Sequence, residues 1–333
     1  TATSGTSSTI TINASGIISA TGARGVGIFA QSEGVSGNGQ IAINLSGSGM
    51  VSGGQSDDSA AIWVVGGTAN TLTLTDSASI QSGASATGND YTDSYAVLYS
   101  ANGTTSGSLT LDNQGSGSIS GSVQNTSQAS DADAMAISVN NGVRGTLTDG
   151  YIYAADIVNH GTFEIGRFRR PGTTVVSGDL EQSATGWLIP DIDLNNSNAD
   201  LLSLEGDAQF DGTLGLNAIS LLPNRSARFL TVAGDMTGGL TPRDSTLFDY
   251  KIDTVGKEMF FSVAGADFTP ASVTNLNNDQ HQLADTLQTI WDAGGNNAFG
   301  SLFGAFASQT DGAPGKYPGT LDELRPRAAF ATA

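Results

Sequence analysis

Three pairs of acidic side chains, Asp57/Asp58, Asp90/Asp93 and Asp131/Asp133, stand just ahead of a short apolar run in successive stretches of the chain. If those runs stack, the pairs form an acidic ridge. Carboxylates held side by side can bind Ca²⁺ or share acid and base roles in polysaccharide cleavage. No Lys or Arg lies between Arg24 and Arg144 to stabilise an anionic transition state, which argues against a lyase. A solvated loop edge is the plainer expectation for these aspartates. The two histidines, His160 in VNHGTF and His281 in DQHQLAD, are far apart in different elements, so a histidine metal cluster is not expected. His160 reads as a turn residue.

A serine nucleophile needs a base, an orienting acid and a strand-to-helix elbow. Gly115-Ser116-Gly117-Ser118 spells part of such a motif in a Ser/Gly-rich context without the elbow. The chain has no cysteine, which excludes disulfides, thiolate metal sites and a cysteine nucleophile. We therefore assign no catalytic, cofactor-binding or metal-binding residues, expect no cofactor, and expect the protein not to be an enzyme. Trp63, Tyr95 and Tyr99 fall in the apolar runs, where they either pack inward between stacked units or form an exposed adhesive stripe; inward packing is the expectation. Asn277-Asn278 and Asn296-Asn297 read as turn and cap residues.

The elements that would carry these residues repeat. Across 333 residues, one half of a unit appears from Ile10, Ile41, Thr71 and Ser108 (ITINASGIISA, IAINLSGSGMVSG, TLTLTDSASIQSG, SLTLDNQGSGSISG), at spacings of 31, 30 and 37. The other half appears from Gly25, Ala60, Tyr95 and Ala134 (GVGIFAQ, AAIWVVGG, YAVLYSANG, AMAISVNNG), at spacings of 35, 35 and 39. A period in this range points to a solenoid. The arms are short, rich in β-branched residues and separated by Gly and Asn, as in Thr71–Leu74, Ser79–Gln81 and Ala96–Tyr99, so they are strands. A right-handed parallel β-helix follows, all-β, one unit per coil. Ile10, Ile12, Leu72, Leu74, Leu109 and Leu111 should point inward and Thr11, Thr73 and Thr110 outward. Loops of variable length, notably Ser82–Ser94 and Gln124–Ala132, are the expected binding elements.

Composition agrees with an ordered but unusual solid. Hydrophobic residues make up 38% and charged residues 14% of the chain. The 44 glycines are about twice the usual ~7% share. A net charge of −19 with so few cations excludes nucleic acid and anionic membranes as charge-driven partners. Residues 1–20 have neither a basic region nor a long apolar stretch, so no signal peptide is expected there, and the start in mid-pattern predicts a piece of a longer protein.

Proline is absent before Pro171, as a hydrogen-bonded ladder requires. The RFRRP stretch at 167–171 marks a boundary or a loop off the stack. Dense strand-and-turn chemistry then runs from Thr173 to Phe261. Beyond Pro270, Leu283, Leu287, Ile290 and Trp291 recur at helical spacing, with Asn278 or Asp279 as N-cap and Gly294 and Gly295 as the stop. A second helix is predicted over Ala298–Ala307 and a third from Leu321 onward.

The segment Gly178-Asp179-Leu180-Glu181-Gln182-Ser183, then Ala199-Asp200-Leu201-Leu202-Ser203-Leu204-Glu205-Gly206-Asp207-Ala208, Gly212-Thr213-Leu214 and Leu230-Thr231-Val232-Ala233-Gly234, resembles the autochaperone end of bacterial type V autotransporter passengers. The resemblance covers Tyr151–Ala333, and the earlier repeats by type. It implies a β-helical stem over 1–150, an autochaperone cap over 151–268 and a helical junction over 269–333 that leads toward a translocator barrel. Thr320–Ala333 is similar to the segment entering that barrel, whose ~12 strands this chain lacks. The resemblance also implies display on, or secretion from, the surface of a Gram-negative bacterium. The implied partners are a cell-surface glycan or protein or a second copy, with the barrel and the outer-membrane assembly machinery serving the full-length protein. The GDSGS motif of protease passengers is absent. The expected role is adhesion or self-association; the alternatives are a polysaccharide-active enzyme using the Asp57/Asp90/Asp131 ridge, or an inert stalk for an activity encoded upstream.

Overall fold

Alternating Ile, Leu and Val at every second position, interrupted by Gly, Ser and Asn turns, leaves each strand with one apolar face and too few residues to bury it alone. Burial comes from stacking. In a computed structural model, residues 8–34, 38–55, 59–83, 94–100, 107–125, 135–148, 151–154, 156–166, 171–243, 245–310 and 313–324 are described. Strands make up 50% of the described residues and helix 14%, the helices following the strands in the chain.

The strands come in threes. The first coil is β1 (Ile10–Ala14), β2 (Ile17–Ser19) and β3 (Val26–Ser32); the second is β4 (Ile41–Leu45), β5 (Met50–Ser52) and β6 (Ser59–Gly66). The third is β7 (Ala69–Leu74), β8 (Ser79–Gln81) and β9 (Ser94–Ser100), and the fourth β10 (Gly107–Asn113), β11 (Ser118–Ser120) and β12 (Ser122–Asn125). β13 (Met135–Asn141), β14 (Thr146–Thr148) and β15 (Tyr151–Ile152) follow, then β16 (Asp156–Asn159), β17 (Thr162–Glu164) and β18 (Thr173–Val176). The seventh coil, β19 (Asp179–Gln182), β20 (Trp187–Ile189) and β23 (Leu201–Leu204), carries a side excursion, β21 (Asp191–Asp193) and β22 (Asn198–Ala199). The eighth is β24 (Ala208–Phe210), β25 (Thr213–Leu214) and β27 (Ser226–Val232), with β26 (Asn217–Ser220) joining β21 at the side; β28 (Met236–Gly238) and β29 (Thr241–Pro242) open the ninth.

Each coil gives one strand to each of three sheets, ordered β1-β4-β7-β10-β13-β16-β19-β24-β28, β2-β5-β8-β11-β14-β17-β20-β25-β29, and β3-β6-β9-β12-β15-β18-β23-β27. Within these orders every pairing is parallel, and the topology is consistent with a β-helix. The core rows are continuous: Ile12, Ile43, Leu72, Leu111, Val139, Ile157, Leu180, Ala208 and Met236 stack in register on the first sheet. Val51, Ile80, Ile119, Leu147, Phe163, Leu188 and Leu214 do so on the second. Each fully buried aliphatic side chain contributes about 1.5–3 kcal/mol. The expected inward set is inward, with Leu72, Leu74, Leu109 and Leu111 fully buried. Ile10 and Ile12 are only half-buried, because no described coil lies above the first. Thr11 is exposed, while Thr73 and Thr110 are partly covered on the outer face.

One repeat assignment is corrected. AMAISVNNG at Ala134 does not belong with GVGIFAQ, AAIWVVGG and YAVLYSANG of the third sheet. Met135–Asn141 pairs with Gly107–Asn113 on the first sheet, and the third strand of that coil is Tyr151–Ile152. Both readings have the same alternation; only the register separates them.

The stack ends by a change of direction. β30 (Phe248–Val255) and β31 (Glu258–Ala266) form an antiparallel hairpin, and β31 pairs antiparallel with β27. The helices α1 (Asn278–Asp292), α2 (Asn297–Thr310) and α3 (Tyr317–Glu323) follow. The N-cap of α1 is Asn277, one residue before the expected position: its side chain accepts from the Asp279 and Gln280 N–H groups while Gln280 Oε1 accepts from the Asn277 N–H, a reciprocal capping box. Gly294 and Gly295 adopt positive φ and stop the helix as expected. The third helix begins at Tyr317, ahead of Leu321, because Pro318 fits its first turn. Trp291, Phe303, Phe306 and Tyr317 are buried against Phe248 and Phe268, with Phe248–Trp291 and Phe268–Phe303 centroids 5.3 and 5.4 Å apart. The Tyr317 hydroxyl donates to the Phe268 carbonyl at 3.0 Å, and burial pushes its pKa up.

Candidate functional site

The residues singled out for chemistry fall partly outside the described structure. Asp57, Asp58, Asp90, Asp93, Asp131 and Asp133 lie outside the described residues, as do Arg167, Arg169 and Arg170. The strands that follow them decide the ridge nonetheless. Asp57/Asp58 and Asp93 lead into β6 and β9 of the third sheet, whereas Asp131/Asp133 lead into β13 of the first. The three pairs do not precede equivalent strands, so the premise of one aligned ridge fails.

His160 sits at the turn after β16, and its Nδ1 is 2.8 Å from Ser183 Oγ in the turn after β19, one coil further on. Ser183 Oγ is in turn 3.2 Å from Thr185 Oγ1, which donates to the His160 carbonyl at 2.9 Å. A serine–imidazole contact was not expected from the sequence. It stitches two stacked turns, with Thr185 as the further partner, and no hydrogen bond from a carboxylate to the imidazole is seen among the described residues. His281 is exposed on α1 and distant in the chain from this pair. Gly115–Ser118 forms a strand-to-strand turn, where Ser116 Oγ donates to the Asp76 carbonyl of the preceding coil. Among the described residues no group of three or more His, Cys, Asp or Glu side chains is set to hold a metal ion.

The aromatic residues divide. Tyr99 points inward and is fully buried, receiving a hydrogen bond from Asn70 Nδ2 at 3.1 Å; burial pushes its pKa up to about 12, with the Asn70 bond opposing. Tyr95 is partly exposed. Trp63 departs from the inward expectation: it faces out and meets Phe29 edge to face at 5.5 Å and 89°.

Two features were missed. The first is a buried amide ladder. Asn113 Nδ2 donates to Asn141 Oδ1 (3.1 Å), Asn141 Nδ2 to Asn159 Oδ1 (2.8 Å) and Asn159 Nδ2 to Gln182 Oε1 (2.7 Å). Asn113 and Asn141 also donate to the Gly117 and Gly145 carbonyls four residues on, which closes their turns. The signal was present: each amide lies two residues after the last inward aliphatic of its strand, at Leu111, Val139, Ile157 and Leu180.

The second is an outward aspartate row, Asp156, Asp179, Asp207 and Asp235, beside a shallow groove of about 440 Å³. Asp179 accepts from the Asp207 N–H at 2.8 Å and Asp207 from the Asp235 N–H at 2.7 Å, so these carboxylates fasten one turn to the next. Within the seventh coil, Asp200 is fully buried and accepts from the Gly172 and Asp191 N–H groups, both at 2.7 Å. Any Cβ at Gly166, which has positive φ, would collide with that carboxylate.

No helix among the described residues is long and apolar enough to cross a membrane. No protein-family model matches this chain, and a search among curated proteins finds no match.

Proposed function

We propose that this chain is the stem of a surface-displayed or secreted autotransporter passenger: a right-handed parallel β-helix, closed by an autochaperone-type cap, that works by adhesion or self-association rather than catalysis. The observation that carries the reading is the coincidence of the resembling motifs with the end of the stack. Gly178–Ser183 holds β19 and the last amide of the ladder, Asp200 is the buried staple of the seventh coil, and Leu230 and Thr231 pair with the hairpin strand that turns the third sheet antiparallel. A parallel stack leaves an apolar, hydrogen-bonding end that must be covered. In this reading the cap covers that end and seeds the folding of the coils before it.

Function then lies in contact along the coils. The first four coils expose Thr, Ser and Asn with few charges, a face suited to a surface glycan, a protein or a second copy, while the acidic balance disfavours nucleic acid. In a longer protein the translocator barrel and the outer-membrane assembly machinery serve the same chain. Beads coated with folded protein are expected to agglutinate or to adhere to cells, and beads coated with heat-unfolded protein to stay dispersed. Dispersal of both would contradict adhesion, and release of reducing ends from polysaccharides, with or without Ca²⁺, would favour the enzymatic alternative.

A further inference from the structure

Phe29 is one of few large hydrophobic side chains exposed among the described residues, at 52%. It does not stand alone. The outward row of the third sheet runs Phe29, Trp63, Leu98 and Gln124 in register, and exposure falls along it until Leu98 is buried. The two rings are therefore confined to the first two coils. Trp63 is held in place: its Nε1–H donates to Ser100 Oγ at 2.9 Å, and Phe29 braces it edge to face. Gln31, two residues beyond Phe29 on the same face, and Ser100, in the same outer row as Gln31, border the rings with an amide and a hydroxyl. β3, β6 and β9 contain no Lys, Arg, Asp or Glu.

We propose that Phe29 and Trp63 form an aromatic platform for a neutral glycan, one ring stacking on the sugar and the other, set at 89° to the first, bracing it edge-on, with Gln31 and Ser100 as its polar border. Three observations choose this occupant. A sugar ring offers an apolar C–H face and a rim of hydroxyls, which matches fixed aromatic rings beside neutral hydrogen-bonding groups. The strands carry no cation for a uronate or sulfate, and a molecule of net charge −19 repels anionic glycans. Two aromatic side chains supply at most ~500 Å², below the ~800 Å² per partner that a stable protein interface buries. A second copy bearing the same net charge is disfavoured on both counts. The platform gives the adhesive reading a ligand class and rests on that reading only for its biological use.

The test titrates tryptophan emission of the full chain with cellohexaose and mannohexaose, and with hexagalacturonate as anionic control. At about 10 mM sugar, well above a ~1 mM dissociation constant, at least one neutral hexaose should shift the emission and hexagalacturonate should not. Phe29→Ala should weaken binding about tenfold, the equivalent of ~1.4 kcal/mol, with unchanged circular dichroism. Trp63→Phe should abolish the signal, since Trp187 and Trp291 lie elsewhere. The proposal is overturned by silence with both neutral sugars, by equal response to hexagalacturonate, by binding that survives Phe29→Ala, or by a signal that survives Trp63→Phe. Sedimentation showing wild-type dimers that dissociate on Phe29→Ala would assign the rings to self-association instead. Each result is read on folded protein, so it stands apart from whether the cap seeds folding.

Discussion

The first three coils and the last three share the same sheets and core rows, yet they are fastened by different means. In β1–β9 the inner face is almost wholly aliphatic, and the one buried amide on the first sheet, Asn70, accepts from the Ile41 N–H at 3.0 Å and donates to the Gly66 carbonyl. In the seventh to ninth coils carboxylates recur: Asp179 and Asp207 hold successive turns from outside, and Asp200 ties two loops from within. The fourth to seventh coils are joined by the amide ladder. The early coils therefore combine aliphatic area with scattered bonds between turns, such as the Gly47 N–H to Asp76 Oδ2 at 2.9 Å, whereas the later coils add consecutive amide and carboxylate bonds that penalise any shift in register.

The largest effect should come from the end of the molecule. Trp291→Ala removes the ring that bridges Phe248, Phe268 and Phe303, and should cost about 3–5 kcal/mol in urea unfolding. A loss confined to helical signal, with the strands unaffected, would show that the helices are independent of the stack.

The ladder sharpens the contrast between area and direction. Asn141→Leu restores an aliphatic residue like those above it but strips Asn159 Oδ1 of its donor and Asn113 Nδ2 of one acceptor, and should cost roughly 2–3 kcal/mol. Asn113→Leu, at the end where the row passes from Leu74 to the amides, should cost about 1 kcal/mol. Equal costs at the two positions would mean that the amides act only as filler.

The smallest effect is a pH dependence in the early coils. The Tyr99 hydroxyl ionises near its ordinary value in the unfolded chain and only at about 12 when folded. Its burial therefore favours the folded state at neutral pH and loses that contribution as pH rises from 10 toward 12. Tyr99→Phe should flatten this alkaline loss in equilibrium unfolding. An unchanged slope would place the titrating group elsewhere.

Strand type and facing were legible because period-two alternation maps directly onto burial. Ser79–Gln81 was delimited as the structure has it, and Thr71–Leu74 and Ala96–Tyr99 were found within strands two to three residues longer. The grouping of Ala134 with the third sheet failed because a coil can shrink. Asn141 and Asn159 occupy equivalent positions only 18 residues apart, against 28 between Asn113 and Asn141, so a fixed period misplaces a strand that local pattern cannot assign. The amide ladder was written two residues beyond each apolar row, but a search for alternating hydrophobic residues passes over it. Trp63 was misplaced for a related reason: in SAAIWVVG both faces are apolar, so alternation does not say which one looks out.

The central claim is that the late coils and the cap make the early coils foldable. Thermal unfolding of Thr1–Asn159 alone, followed by far-ultraviolet circular dichroism beside the full chain, tests it most directly. The account predicts no cooperative transition in the isolated stem, whose lower edge would be left uncovered and whose ladder would lose Gln182. A stem that unfolds cooperatively at the temperature of the full chain would contradict it.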